Sequence, residues 1–131
     1  MEDAEVGVVD LAARAQVSSE HGVLWTCQST DLNLNLLAVL ANTPMPEHVN
    51  NDVDVLVVGV EGEGSVVING NVYAVQRGQA IVIPKGVRRS IRCDHGRFVY
   101  LTCHRRRAGL WPQELRRRNA SGSHGRPDAT S

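Results

Sequence analysis

The side chains best suited to chemistry lie in two short stretches of this 131-residue chain. The stretch EHVNNDVD contains His48, Asn50, Asp52 and Asp54, and the stretch GVRRSIR contains two adjacent arginines. A histidine beside carboxylates can move protons, because its pKa lies close to neutral pH. An arginine can bind a carboxylate or a phosphate through its planar fork of N–H donors. The two stretches therefore indicate acid–base chemistry, anion binding or both.

The two arginines follow a strand and a turn that the local sequence indicates. Residues 80–83, AIVI, form a short β-branched run, and Pro84 and Gly86 then set the turn. Side chains alternate along a strand, so Arg88 and Arg89 point to opposite faces of the next strand. One of them must face whatever the sheet encloses. Because a buried guanidinium without a partner is very costly, we expect a carboxylate, a polar cluster or an anionic ligand beside it.

The rest of the chain supplies more short strands at close spacing, with no helix between them. Turn residues such as the Asn69-Gly70 pair separate the strands. This pattern is typical of an all-β, antiparallel sandwich or barrel of about eight strands. We predict strands at residues 22–27, 32–41, 53–60, 65–68, 71–75, 80–83, 88–92 and 98–104.

The chain divides into three parts by composition. Residues 1–20 predict a peripheral segment with a short helix, one face of which would carry Val9, Ala12, Ala13 and Gln16. We predict that residues 21–115 form the barrel. Residues 116–131 form a basic, Ser/Gly/Pro-rich tail that we predict to be disordered.

The charge is distributed unevenly although the formal net charge is zero. Residues 105–131 carry seven arginines against two acidic residues, so the preceding part of the chain has a charge of −5. This acidic body argues against nucleic-acid binding. The chain has three cysteines, no apolar run of membrane-spanning length and an acidic N-terminus. These features predict a cytoplasmic protein with reduced thiols and no membrane partner.

The middle of the chain resembles the cupin superfamily, beginning with its second sequence motif. Gly78, Pro84 and Gly86 match the glycine, proline and glycine of that motif at the right spacing, and Arg89 occupies the position of its histidine. In the first motif, His48 matches the first of two histidines.

The remaining positions of the first motif depart from the family pattern. Asn50 replaces the second histidine, and Asp54 matches the acidic residue only if one extra residue precedes Gly62. If the spacing to Gly62 is kept instead, Val55 falls on the acidic position. The glycine and proline skeleton is therefore retained, whereas the ligand set is not.

The resemblance implies a jelly-roll barrel with a pocket at one mouth, and a homodimer. Cupin pockets often hold iron, manganese, nickel or zinc through three histidines and a carboxylate. An arginine in the pocket repels a metal cation, so we expect no resident metal here. If a metal binds, His48, Asp54 and His104 are the candidate ligands.

We expect Arg89 to point inward, with Asp54 as its partner. The predicted catalytic residues are His48 and Asp54. The predicted ligand-binding residues are Asn50, Asp52, Arg89, Tyr100 and His104. Tyr100 and Thr102 share the face of His104 on the last strand, and the sequence leaves open which face of that strand looks inward.

The function that we favour is binding of a small, anionic organic molecule in the barrel without the usual metal. One alternative is a metal-free isomerase, epimerase or cyclase in which His48 acts as the base and Asp52 or Asp54 orients it. A second is a metal-dependent oxygenase with a degenerate site. A third is an interaction protein whose basic tail contacts an acidic partner.

Overall fold

A computed structural model describes residues 6–43 and 45–106 as one short helix and nine strands. The strands form two antiparallel sheets, ordered β1-β2-β9-β4-β7 and β3-β8-β5-β6. The elements are α1 (Leu11–Ala15), β1 (Gly22–Gln28), β2 (Leu32–Leu40), β3 (His48–Val49), β4 (Val55–Glu61), β5 (Glu63–Ile68), β6 (Asn71–Gln76), β7 (Ala80–Ile83), β8 (Arg88–Arg92) and β9 (Arg97–Arg105).

The two sheets enclose the main core, as in a jelly-roll barrel, which confirms the predicted fold class. The predicted strands lie within two residues of the observed ones, and the structure adds the two-residue strand β3. Every second side chain of a strand points into the barrel, because side chains alternate across a sheet. The buried apolar side chains of this core are Leu37, Val39, Val53, Val55, Val57, Val66, Val75, Ile83, Ile91, Cys93, Phe98 and Tyr100.

One end of the barrel, here called the mouth, is built from loop 50–54 and turn 84–86. The N–H of Gly86 donates to the carbonyl of Asn50 at 2.7 Å, which joins the loop to the turn. Strand β4 starts after the loop and β8 starts after the turn. The end of β9 pairs with the starts of both β4 and β2, so these four strand ends lie together at the mouth.

Helix α1 packs on the outer face of the five-stranded sheet. The carboxylate of Asp10 accepts from the N–H of Ala13 at 3.1 Å and caps the helix. Ala15 is buried and Leu11 is partly buried in a second apolar cluster. The predicted helix face was therefore wrong. The helix begins only at Leu11, and its residues i and i+4, Leu11 and Ala15, face the sheet, while Ala12 is exposed.

Arg97 holds this helix in place through its guanidinium. Its Nη1 donates to the carbonyl of Ser18, and its Nη2 donates to the carbonyl of Ala15 at 2.7 Å. Nη2 also lies 3.1 Å from a carboxylate oxygen of Glu61. Carbonyl groups at the end of the helix thereby gain a charged donor, which compensates for hydrogen bonds that the helix cannot make itself.

Several predictions concern residues outside the described part of the chain. These are the disordered tail at residues 116–131, the boundary at residue 115 and the contact of the tail with an acidic partner. They stay predictions. Among the described residues, no helix is both long and apolar enough to cross a membrane.

Candidate functional site

Arg89 lies at the centre of the site, because it is a charged side chain that the protein buries completely. It has no solvent exposure, whereas the side chain of its neighbour Arg88 is 62% exposed. Arg89 is the first inward-facing residue of β8 after the turn at the mouth. The predicted inward orientation is confirmed.

The guanidinium of Arg89 is only partly satisfied by the protein. Its Nε donates to Nε2 of His48 at 3.2 Å. Its Nη1 and Nη2 are buried and have no hydrogen-bond partner among the described residues. Burial lowers the pKa of Arg89, yet an arginine remains protonated in proteins because its ordinary pKa is so high. The barrel therefore contains a positive charge with two unused donor groups.

His48 holds the guanidinium of Arg89 in position. Because Nε2 of His48 accepts from Arg89, the proton of the neutral imidazole is on Nδ1, which lies 3.2 Å from the carbonyl of Pro46 and donates to it. Burial lowers the pKa of His48, and the nearby charge of Arg89 lowers it further, although the Pro46 carbonyl opposes this shift. His48 is thus a neutral hydrogen-bond acceptor at neutral pH.

The facing sheet contributes three more buried polar groups. Asn35 on β2 and Thr102 on β9 lie directly opposite each other in the sheet, and Tyr100 is the next inward residue on β9. Asn35 Nδ2, Thr102 Oγ1 and Tyr100 Oη are buried and have no hydrogen-bond partner among the described residues. Burial raises the pKa of Tyr100, so its hydroxyl stays protonated and can donate.

His104 lies at the mouth, one inward position beyond Thr102. Its Nε2 is 3.2 Å from Nδ2 of Asn33, and its Nδ1 is 3.1 Å from the carbonyl of Arg105. Tyr100, Thr102 and His104 are all buried, so they lie on the inner face of β9. The sequence had left open which face of this strand looks inward.

The inner surface is polar near the mouth and apolar farther from it. On β2, two asparagines near the mouth are followed on the same face by Leu37 and Val39. On β8, Arg89 is followed on the same face by Ile91, and Cys93 is buried in the core directly after the strand ends. A polar ligand that entered through the mouth would meet the polar layer first.

The structure does not pair Asp54 with Arg89, so this prediction was wrong. Strand β4 begins only at Val55, and Asp54 lies exposed in the preceding loop. Its carboxylate accepts from the N–H of Lys85 at 2.9 Å. A residue in a loop does not follow the alternation of a strand, which is why the predicted inward orientation failed. Asp54 instead helps to join the loop to the turn.

Asn50 and Asp52 also lie in the loop that precedes β4. Oδ1 of Asn50 accepts from the N–H groups of Asp52 and Val53, at 2.9 and 3.2 Å. Asn50 therefore stabilises the loop by hydrogen bonds to its own backbone, a common role of asparagine in turns. Asp52 lines, with Asp54 and His104, a cleft of about 380 Å³ at the mouth.

Sequence reasoning did not identify Asn35 or Thr102 as site residues. A signal for Asn35 was present in LNLNLLAVL, because the face of the two asparagines continues into Leu37 and Val39. Four positions on one face that change from polar to apolar indicate an inner surface with a polar end. For Thr102 the signal was its place between Tyr100 and His104 on one face of the last strand, but the sequence left open whether that face looks inward.

The residues present here do not fit the cupin metal site that the sequence resemblance implies. Among the described residues, no three His, Cys, Asp or Glu side chains are grouped so that they could hold a metal ion. Nε2 of His48 is engaged by Arg89, and Asp54 lies in the loop against Lys85. A guanidinium at the centre of the site would repel a cation.

Comparisons with known proteins identify the fold. No family model and no curated protein matches the chain. Among solved structures, a cupin-2 domain containing protein from Shewanella frigidimarina is 20% identical with a TM-score of 0.64, over 76% of this chain and 95% of that one. An RmlC-like cupin family protein with a double-stranded β-helix, from Methanocaldococcus jannaschii, is 13% identical with a TM-score of 0.63, over 72% and 87%. A protein from Neisseria meningitidis is 17% identical with a TM-score of 0.67, over 76% and 100%.

Proposed function

We propose that this chain, which has the fold of the small single-domain cupins, binds a small organic anion inside its barrel without a resident metal. One observation carries the proposal: Arg89 is fully buried, and both of its terminal nitrogens have no partner among the described residues. Leaving a buried charged donor unsatisfied is costly, so this guanidinium is suited to a ligand that supplies the acceptors.

A carboxylate suits this guanidinium best. Nη1 and Nη2 are parallel donors in one plane, and the two oxygens of a carboxylate accept from both at once. The hydrogen bond from Nε to His48 fixes that plane before the ligand arrives. A pre-oriented donor pair loses less conformational freedom on binding, which favours affinity.

Binding is favoured over acid–base catalysis by the hydrogen bonds of His48. The predicted base would need a free Nε2 and a carboxylate to orient its ring. Nε2 instead accepts from Arg89, and the carbonyl of Pro46, rather than Asp52 or Asp54, orients the ring. Removing a proton from a substrate would first require breaking the contact with Arg89. His48 therefore acts as a positioning residue in this proposal.

The proposal also includes the cellular compartment and the oligomeric state of the protein. We place it in the cytoplasm because Cys27, Cys93 and Cys103 are free thiols, which suits a reducing compartment. We propose a homodimer because Leu32 and Val82 leave apolar surface exposed on the outer face of the five-stranded sheet. Sedimentation equilibrium tests the dimer, and a monomer mass at all concentrations would contradict it.

Elemental analysis of the untagged protein as purified, before any unfolding, should find no stoichiometric metal. The ligand test then uses protein that has been unfolded and refolded to remove bound small molecules. Straight-chain carboxylates of two to six carbons should raise the melting temperature of the wild type, and Arg89→Met should abolish this response. Arg88→Met is the matched control and should keep it, because Arg88 lies on the outer face of the same strand.

Two results would overturn the proposal. One is stoichiometric metal that is lost in His48→Ala, which would make a metal-dependent cupin the better account. The other is a wild-type protein whose melting temperature responds to none of the carboxylates.

A further inference from the structure

We infer that the ligand is a small carboxylic acid with a second, uncharged oxygen function, a hydroxyl or a carbonyl, away from its carboxylate. This inference rests on the proposed function and adds the chemical class of the ligand. It is carried by the three unpartnered polar groups of the five-stranded sheet, which face the barrel interior across from Arg89.

These three groups form one patch. Asn35 and Thr102 are cross-strand partners, and such side chains have Cβ atoms about 5 Å apart. Tyr100 is two residues from Thr102 on the same strand and the same face, about 7 Å along the strand. Each residue is at least nine-tenths buried, and each has a polar atom without a partner in the described part of the chain.

The patch and Arg89 lie at the same end of the barrel but on opposite sheets. Arg89 is the first inward residue of β8, and Thr102 is one of the last inward residues of β9. The start of β8 and the end of β9 both lie at the mouth. Packed sheets are about 10 Å apart and side chains of both sheets occupy most of that distance, so a ligand that contacts both Arg89 and the patch must be small.

The chemistry of the patch selects the second function of the ligand. The amide of Asn35 and the hydroxyls of Thr102 and Tyr100 are uncharged groups that can all donate. They can satisfy a hydroxyl or carbonyl oxygen without an added charge. No aspartate or glutamate is buried among the described residues, so nothing identified there would neutralise an ammonium group. Amino acids are therefore disfavoured relative to hydroxy acids and oxo acids.

The test compares ligands of equal length that differ in one group. Butanoate, its 2-, 3- and 4-hydroxy derivatives and 4-aminobutanoate are titrated calorimetrically into refolded wild-type protein. At least one hydroxybutanoate should bind about tenfold more tightly than butanoate, because it satisfies buried donors that butanoate leaves unpaired. 4-Aminobutanoate should bind more weakly than butanoate.

Thr102→Val provides the matched variant, since it removes the hydroxyl and nearly conserves the volume. It should cancel most of the preference for the hydroxybutanoate over butanoate, measured as the ratio of the two dissociation constants within the variant. Asn35→Leu is the second variant and should act in the same direction. Circular dichroism of both variants checks that they fold.

The outcomes separate the inference from the proposed function. If butanoate and every hydroxybutanoate bind equally, and Arg89→Met abolishes all binding, the function stands and the inference is wrong. The same conclusion follows if Thr102→Val and Asn35→Leu both fold and neither changes the preference for the hydroxybutanoate. In that case ordered water satisfies the patch. If no carboxylate binds to the wild type, both fail.

Discussion

Replacing Arg89 by methionine should stabilise the ligand-free protein while it abolishes ligand binding. Each unpaired, buried charged donor costs about 1–3 kcal/mol, and Arg89 has two of them. The one hydrogen bond of its guanidinium in the described structure, to the neutral imidazole of His48, returns about 1.5–3 kcal/mol. Methionine keeps much of the length of the side chain and has no polar N–H group. We therefore expect the free energy of unfolding to rise by about 1–3 kcal/mol, within the range seen when buried ionic groups are replaced by apolar ones.

The assay is equilibrium unfolding in urea of refolded protein, with native mass spectrometry to confirm that no small molecule is bound. Arg88→Met is the control, because its side chain is exposed and lies 3.8 Å from Glu47. Its unfolding free energy should change by less than about 0.5 kcal/mol. A loss of stability of more than about 1 kcal/mol in ligand-free Arg89→Met would refute the reasoning. It would mean that the guanidinium is satisfied within the folded protein and that Arg89 has a structural role.

Three further predictions concern pH and packing. The pKa of His48 is lowered in the folded state from an ordinary value of 6.5, so the unfolded chain binds the proton more tightly and the unfolding free energy should fall as the pH drops below that value. His48→Gln should remove this part of the pH dependence in urea titrations between about pH 7 and pH 5. Arg97→Met removes a guanidinium that is only 15% exposed and should cost about 2–4 kcal/mol, with faster proteolysis near the N-terminus. Gly64→Ala places a methyl group against the ring of Phe98 and should cost about 1–3 kcal/mol in urea unfolding.

Each of these predictions has its own control and contradicting result. An unchanged pH dependence in His48→Gln would show that another group titrates. Arg92→Met, whose side chain is 47% exposed and 4.0 Å from Asp94, should be nearly neutral, and equal losses in both arginine variants would remove the special role of Arg97. Gly7→Ala adds a methyl group with nothing within 4 Å of it and should be silent. A silent Gly64→Ala would show that the ring can move aside.

The strand that carries Arg89 shows how far local sequence rules reach. The β-branched run of β7, the proline and glycine turn and the alternation in β8 each depend on residues that are close in the chain. The strand positions and the inward orientation of Arg89 were therefore predictable. The fold class was predictable for the same reason, since short strands joined by tight turns leave few alternatives.

The partners of Arg89 show where those rules end. Asp54 lies only one residue before β4, and its carboxylate accepts from the backbone of Lys85, 31 residues away. Asn50 occupies the position of the second histidine of the first cupin motif, yet its side chain stabilises its own loop. Whether a polar side chain at a strand end points inward depends on where the strand begins. Strand β4 begins two residues later than predicted, so Asp54 lies in a loop to which the alternation does not apply.

The sequence by itself therefore determined the strands, the turns and a buried arginine, because period-two alternation and turn geometry are local properties. Only the tertiary structure decided what surrounds that arginine. Asn35 and Thr102 are 67 residues apart in the chain and become neighbours through the pairing of β2 with β9, while Arg89 reaches the same interior from the other sheet. A binding site made of long-range neighbours depends on how two sheets pack, and the spacing of residues along the chain does not contain that information.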